Sequence, residues 1–197
     1  MPHWAKTRQT TLLVLLSVFI AAIVAFWVTQ SSPTGNFTQS EQSAAALPEL
    51  HWHPSPIEVP PVTFKDKDSQ DISLSHFLGT PVLLNLWATW CAPCIAEMPA
   101  LDQLQASLPE ASLTIITLSL DRGGLAEIEP FWEKTKLMSL KMYFDTTMSA
   151  GQTLSARGLP TTLLINREGR EVARIEGPAE WASPEAIGYF GELADRL

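Results

Sequence analysis

Cysteine is nearly absent from this chain of 197 residues: Cys91 and Cys94 are the only two. Histidine is scarce as well, with four in all and none after His76. A zinc site needs further Cys or His ligands, and the chain places none near the cysteine pair. A purely structural disulfide rarely closes so tight a loop. Positive charge is in short supply too. The formal net charge of -8 argues against nucleic acid and against tight binding to an anionic membrane surface. No charged residue occurs from Thr11 to Val28, and no Lys or Arg occurs between Arg8 and Lys65. No internal repeat is evident.

The two cysteines lie in Trp87-Ala88-Thr89-Trp90-Cys91-Ala92-Pro93-Cys94, with Glu97, Met98 and Pro99 just behind. Before them, the apolar run Val82-Leu83-Leu84-Asn85-Leu86-Trp87 reads as a buried strand. After them, Ile95, Met98, Leu101, Leu104 and Leu108 recur at helical spacing, which predicts an amphipathic helix over Ile95 to Ser107. A Cys-x-x-Cys pair at a strand-to-helix junction is the arrangement of a dithiol redox centre. Cys91 falls where backbone N–H groups lack partners and the helix dipole favours negative charge, so a thiolate is stabilised there. Cys94 lies one helical turn on, within reach of a short disulfide. Pro93 suits a first turn, whose N–H would have no partner in any case. Trp87 and Trp90 are expected to wall the site with apolar surface.

The uncharged stretch 11–28, about 18 residues, is just long enough to cross a bilayer as a helix. Lys6 and Arg8 precede it, so the positive-inside rule leaves residues 1–10 in the cytoplasm and sends the rest across. An uncleaved anchor is preferred to a cleaved signal peptide, because the small-residue run Ala44-Ala45-Ala46 lies well beyond the apolar stretch. Residues 29–56, rich in Ser, Thr, Gln, Ala and Pro, read as a flexible tether. His51 and His53 flank Trp52 there. Their spacing could suit copper, but a tether beside Pro54 and Pro56 offers no rigid support, and they are read as solvated.

The folded domain is expected over 57–197. Val62–Phe64 and Ile72–Leu74 read as short strands around a polar turn. Further strands are expected at Leu113–Leu120, Leu140–Phe144, Thr161–Ile165 and Arg170–Glu176, with helices at Leu125–Leu137, Thr147–Ala156 and Pro184–Leu197. Alternating strands and helices closed by a hairpin and a helix give an α/β sandwich with a mixed sheet flanked by helices.

Taken together, Trp90-Cys91-Ala92-Pro93-Cys94, Glu97-Met98-Pro99, Gly158-Leu159-Pro160-Thr161-Thr162 and Glu176-Gly177-Pro178-Ala179-Glu180-Trp181 resemble the thioredoxin superfamily. Within it they are most similar to the membrane-anchored TlpA/ResA-like thiol:disulfide oxidoreductases. The resemblance implies a thioredoxin-like fold behind a single transmembrane helix. It implies Cys91 as nucleophile, Cys94 as resolving thiol, and a redox-active Cys91–Cys94 disulfide. Pro160 matches the family's cis-proline, with the peptide at Leu159 presented to an extended substrate beside Trp90 and Pro93. Pro99 matches a proline that kinks the redox helix. Asn85 departs from thioredoxin, which has a buried acid at that strand position, and Asn cannot move a proton. Glu97 matches an acid that ResA-like proteins use. Its plainer reading is a favourable charge early in a helix. An acid/base role is preferred because dithiol exchange needs a proton acceptor for Cys94.

These features point to a periplasmic protein-disulfide reductase on the bacterial inner membrane, working without metal or cofactor. The compartment is oxidising, so a reductase there needs electrons from a membrane thiol transporter of the DsbD or CcdA type. The resemblance implies exported recipients with cysteine pairs awaiting haem or copper: apocytochrome c, or copper-site proteins of cytochrome oxidase. A dithiol oxidase shares the chemistry. A copper chaperone of the Sco type shares the fold and anchor, but keeps a late ligand histidine where this chain has none. A peroxidase would need a Thr-x-x-Cys context that is missing.

Overall fold

The structure, a computed structural model, describes residue 47 and residues 50–197 apart from 110, 111 and 195. The expected anchor over 11–28, the cytoplasmic segment 1–10 and most of the tether lie outside the described residues. Among the described residues, no helix is long and apolar enough to cross a membrane.

The centre of the fold is β4 (Val82–Trp87), buried at every position. An almost unbroken apolar run suits a strand covered on both faces. It pairs in parallel with β5 (Thr114–Ser119) and antiparallel with β7 (Thr161–Ile165). The remaining strands are β1 (His51–Glu58), β2 (Thr63–Asp66), β3 (Asp71–Ser73), β6 (Met142–Phe144) and β8 (Arg170–Glu176). They complete one mixed sheet of eight strands in the order β1-β8-β7-β4-β5-β6-β2-β3.

Side chains alternate between the faces of β4, which separates two cores. Leu83 and Trp87 join one cluster with residues of α1 (Ala92–Ser107), α2 (Leu125–Thr135) and α4 (Pro184–Leu193). Val82, Leu84 and Leu86 join the other, with Phe64, Tyr143 and residues around α3 (Ser149–Thr153). The connections β4–α1–β5 and β5–α2–β6 step the same way along the sheet. Both crossovers therefore lay their helices on one face. Asn85 shares the parity of Leu83 and Trp87 and faces α1.

Two strand ranges, β7 and β8, coincide with the sequence expectation. The redox helix starts earlier than expected, at Ala92, because Pro93 fits its first turn and Cys91 supplies the cap position. α4 ends at Leu193 rather than Leu197. It opens on Ser183, whose Oγ accepts from the Ala186 N–H, followed by Pro184.

The tether expectation for 29–56 is overturned at its end. His51–Glu58 forms β1, paired antiparallel with β8, and Leu47 and Leu50 are buried in the core. The domain therefore starts before residue 57. Pro54 and Pro56 fall where the β1–β8 register shifts between Trp52 and Ile57, and an edge strand tolerates their missing N–H groups. His53 is not the solvated residue expected from the sequence. It is half-buried and hydrogen-bonded to Glu171 Oε1 at 2.7 Å. Glu171 also takes a two-point contact from Arg174, at 2.6 Å from Nε and 2.7 Å from the terminal nitrogen. The arrangement clamps β1 to the sheet. Among the described residues, no group of three or more His, Cys, Asp or Glu could hold a metal ion.

Candidate active site

The loop from Ala88 to Cys91 joins the end of β4 to α1, and it is tied down from β5. Asp121, just beyond the C-terminal end of β5 and fully buried, accepts from the Thr89 N–H at 2.9 Å and from Thr89 Oγ1 at 2.7 Å. Ser119 Oγ donates to the same carboxylate at 2.7 Å. The Cys91 N–H donates to Ala88 O, which closes the turn, and Cys91 O accepts from the Ile95 N–H. Cys91 is the N-cap of α1 with an extended backbone, φ -93° and ψ 100°.

Cys91 and Cys94 are joined by a disulfide, with their Cα atoms 5.3 Å apart. Their environments differ: Cys91 keeps 7% of its surface exposed, while Cys94 has none. An attacking thiol must meet its partner, whereas a resolving thiol need only meet its neighbour. Trp90 is 64% exposed beside Cys91 and offers apolar surface to an incoming chain. Trp87, expected to wall the site, is instead fully buried beneath it, its ring centroid 5.2 Å from that of Phe131 and 6.0 Å from that of Trp132.

The bond between Leu159 and Pro160 is cis, as expected. Leu86 pairs with Thr161, so the register sets Pro160 level with Trp87, at the end of β4 from which the cysteine loop leaves. Pro160 O accepts from the Gly177 N–H, and Thr161 Oγ1 donates to Gly158 O. The Leu159 backbone groups make no such bond among the described residues, which leaves them free for an extended chain.

Glu97 lies one turn beyond Cys94 on the same flank of α1. It is buried and receives three hydrogen bonds. Asn85 Nδ2 donates to Oε1 at 2.8 Å, while Trp181 Nε1 and the Ala179 N–H donate to Oε2 at 3.0 and 3.3 Å. Burial pushes the Glu97 carboxyl above the ordinary carboxylate value, and the donors from Trp181, Asn85 and Ala179 pull part of the way back. The result is a buried acid that accepts a proton more readily than a surface one.

The sequence brought Cys91, Cys94, Glu97 and Pro160 to notice, and the fold gathers them at one end of the sheet. It did not reveal Asp121 and Thr89 as the fastening of the cysteine loop. Only the folded register supplies that signal: β5 runs parallel to β4 with Ser119 opposite Trp87, so Asp121 lies two residues beyond that pair, as does Thr89. Asn85, read as a departure from an acid, proves to be a direct partner of the acid that replaces it.

A mixed sheet of this order, with a Cys-x-x-Cys pair heading the helix after its central strand and a cis-proline at the same end, defines a thioredoxin-fold protein built for thiol–disulfide exchange. Residues 56–187 match the family described as Redoxin, and the chain belongs to that family. It is similar to the thiol-disulfide oxidoreductase ResA of Bacillus cereus, 31% identical over 136 residues covering 69% of this chain and 76% of that one. ResA of Bacillus subtilis is 28% identical over 120 residues, 61% of this chain and 66% of that one. Among solved structures, a secreted thiol-disulfide isomerase from Corynebacterium glutamicum superposes with a TM-score of 0.61 at 20% identity, covering 83% of this chain and 95% of that one. StoA from Bacillus subtilis gives a TM-score of 0.56 at 22% identity, over 68% of this chain and 99% of that one. These two share the fold. The chain is thus a thiol-disulfide oxidoreductase of the ResA type with a redox-active cysteine pair.

Proposed function

We propose that this protein reduces disulfides in exported proteins, with Cys91 as nucleophile, Cys94 as resolving thiol and Glu97 as the proton acceptor between them. The observation that carries the reading is the buried carboxylate of Glu97, one turn past the sealed Cys94 and held by three donors. Cys91 thiolate attacks one sulfur of a substrate disulfide. That bond breaks, one substrate sulfur leaves as thiolate, and the other remains joined to Cys91. Cys94 passes its proton to Glu97 and attacks Cys91 Sγ, which expels the second substrate thiolate and forms Cys91–Cys94. The departing thiolates take up the proton from Glu97 and one from solvent. Two electrons have then moved from the dithiol to the substrate.

Trp90 and Pro93 flank the approach, and the peptide at Leu159, ahead of cis-Pro160, pairs with the substrate backbone. Residues 11–28 anchor the chain in the inner membrane with the N-terminus in the cytoplasm and the domain in the periplasm. The dithiol is restored by a membrane thiol transporter of the DsbD or CcdA type. Recipients are cysteine pairs awaiting haem or copper, as in apocytochrome c or the copper-site proteins of cytochrome oxidase. The likeness to ResA supports this reading, as does the net charge of -8, which leaves nucleic acid out.

The test is a Cys94→Ser variant in cells. It is expected to accumulate mixed disulfides through Cys91 with exported proteins, and an empty trap would refute the scheme. Direction is read from the reduction potential of the pair: a value near DsbA's, about -120 mV, would make the protein an oxidase instead.

A further inference from the structure

The residues just ahead of cis-Pro160 belong to no ladder. Upstream, the chain is still tied to α3: the Ser155 N–H donates to Gln152 O and the Ala156 N–H to Gly151 O. Downstream, β7 begins at Thr161. Between them, among the described residues, the N–H groups of Arg157, Gly158 and Leu159 donate to no protein group. The course of this stretch is therefore set by something other than its own backbone.

It is set by side chains on one rung of the sheet. Thr161 in β7 lies opposite Glu176 in β8, and opposed side chains of an antiparallel pair stand on the same face. Thr161 Oγ1 donates to Gly158 O at 2.7 Å. The Glu176 carboxylate takes the Arg157 guanidinium at two points, Nε at 2.9 Å and a terminal nitrogen as well. Two successive residues of the loop are thus mounted on the two side chains of the rung. A third fastener is the Gly177 N–H, which donates to Pro160 O. Leu159 lies between these fasteners, and its side chain packs against both cores. What the loop presents there is backbone.

The other charges that face Glu176 are Arg174 on β8 and His51 on β1. Arg174 is engaged with Glu171 and with Leu154 O, which leaves the Glu176 carboxylate to Arg157. The Arg157 side chain is 81% exposed, and exposed ion pairs add little to the stability of a whole fold. Its effect is local, on the freedom of the loop two residues from Leu159.

We propose that Arg157 and Glu176 are positioning residues for substrate binding, their ion pair holding the Leu159 peptide in place for pairing with an extended chain. The inference rests on the reading of Leu159 as the backbone partner of the substrate. A loop already ordered loses less freedom when a chain docks on it, so docking is tighter. The pair therefore favours disulfides carried on a peptide backbone and does nothing for a disulfide that has none.

The experiment is stopped-flow reduction of two kinds of disulfide by the reduced full-length protein in detergent micelles. One is an uncharged, end-blocked peptide with an oxidised Cys-x-x-Cys pair, and the other is hydroxyethyl disulfide. Glu176→Gln and Arg157→Ala are each expected to lower the second-order rate constant for the peptide by roughly two- to fivefold, the range for an exposed ion pair. The rate for hydroxyethyl disulfide should not change. The double variant should lose no more than either single one, because the same contact is missing in all three. Equal losses on both disulfides, no loss on the peptide, or losses that add in the double variant overturn the proposal. Failure of the underlying reading looks different. A peptide methylated on the backbone nitrogens around its cysteines would then react with the wild type as fast as the unmethylated one, which removes the pairing at Leu159 and with it the purpose of the ion pair.

Discussion

Replacing Trp181 with Phe keeps an aromatic ring against Phe190, whose centroid lies 5.9 Å away, and deletes one donor to Glu97. A hydrogen bond to a charged group contributes about 1.5–3 kcal/mol, so losing this donor should push the Glu97 carboxyl further up. The effect on stability has a definite sign. Glu97 is already raised above its ordinary value of 4.5. Between that value and its folded value the native state holds the proton more tightly than the unfolded chain, so stability falls as pH rises. Trp181→Phe extends this window upward. The packing loss from indole to phenyl does not depend on pH, whereas the lost hydrogen bond is felt in full only when Glu97 is ionised. Urea unfolding of the oxidised protein at about pH 4 and about pH 8 separates the two, and the variant's deficit should be larger at the higher pH by up to about 1.5–3 kcal/mol. A deficit equal at both pH values would refute the account of how Glu97 is held.

Glu97→Gln should slow release of a mixed disulfide by about a hundredfold or more, judged by general base catalysis, while alkylation of reduced Cys91 is little changed. Stopped-flow measurement with a small disulfide substrate checks the split. Asp121→Ala leaves the Thr89 N–H and the Thr89 and Ser119 hydroxyls without their acceptor, and should cost about 3 kcal/mol in urea unfolding. Burial alone would raise the Glu171 carboxyl, but Arg174 and His53 hold it below the ordinary carboxylate value. A depressed acid stabilises above its unfolded value of 4.5 and loses that contribution as pH falls through the folded value. Protection of the β1 amides against hydrogen exchange should therefore fall in acid, and Glu171→Gln should show the weaker protection already at neutral pH.

The parts of this molecule that could be read from its sequence are those encoded locally. The run from Val82 to Trp87 is apolar at nearly every position, and β7 and β8 flank a turn, Asn166 to Gly169, whose residues announce it. Cys91, Cys94 and Glu97 repeat at one-turn spacing on a single helix, so their adjacency follows from helical geometry. β1 gave no such signal. Seven of its eight residues are exposed, so no alternation of apolar and polar side chains marks it, and its two prolines argue for a loop. What makes it a strand is the open edge of β8 and the buried Glu171, which lies 118 residues from His53. The partners of Glu97 were hidden for the same reason. Trp181 stands 84 residues away in the chain, and only the folded sheet shows that Asn85 faces the helix rather than the opposite core.

Pro54 and Pro56 sit in the strand that forms one border of the sheet. A border normally offers a repeating row of donors and acceptors on which a neighbouring molecule can continue the ladder. Two missing donors in quick succession spoil that template, so copies of the chain gain little by joining edge to edge. Under the proposed function, a substrate finds its backbone partner instead at Leu159, at the end of β4 from which the cysteine loop leaves. On that reading, a margin that discourages adhesion leaves the other end of the sheet as the place where a visiting chain is held.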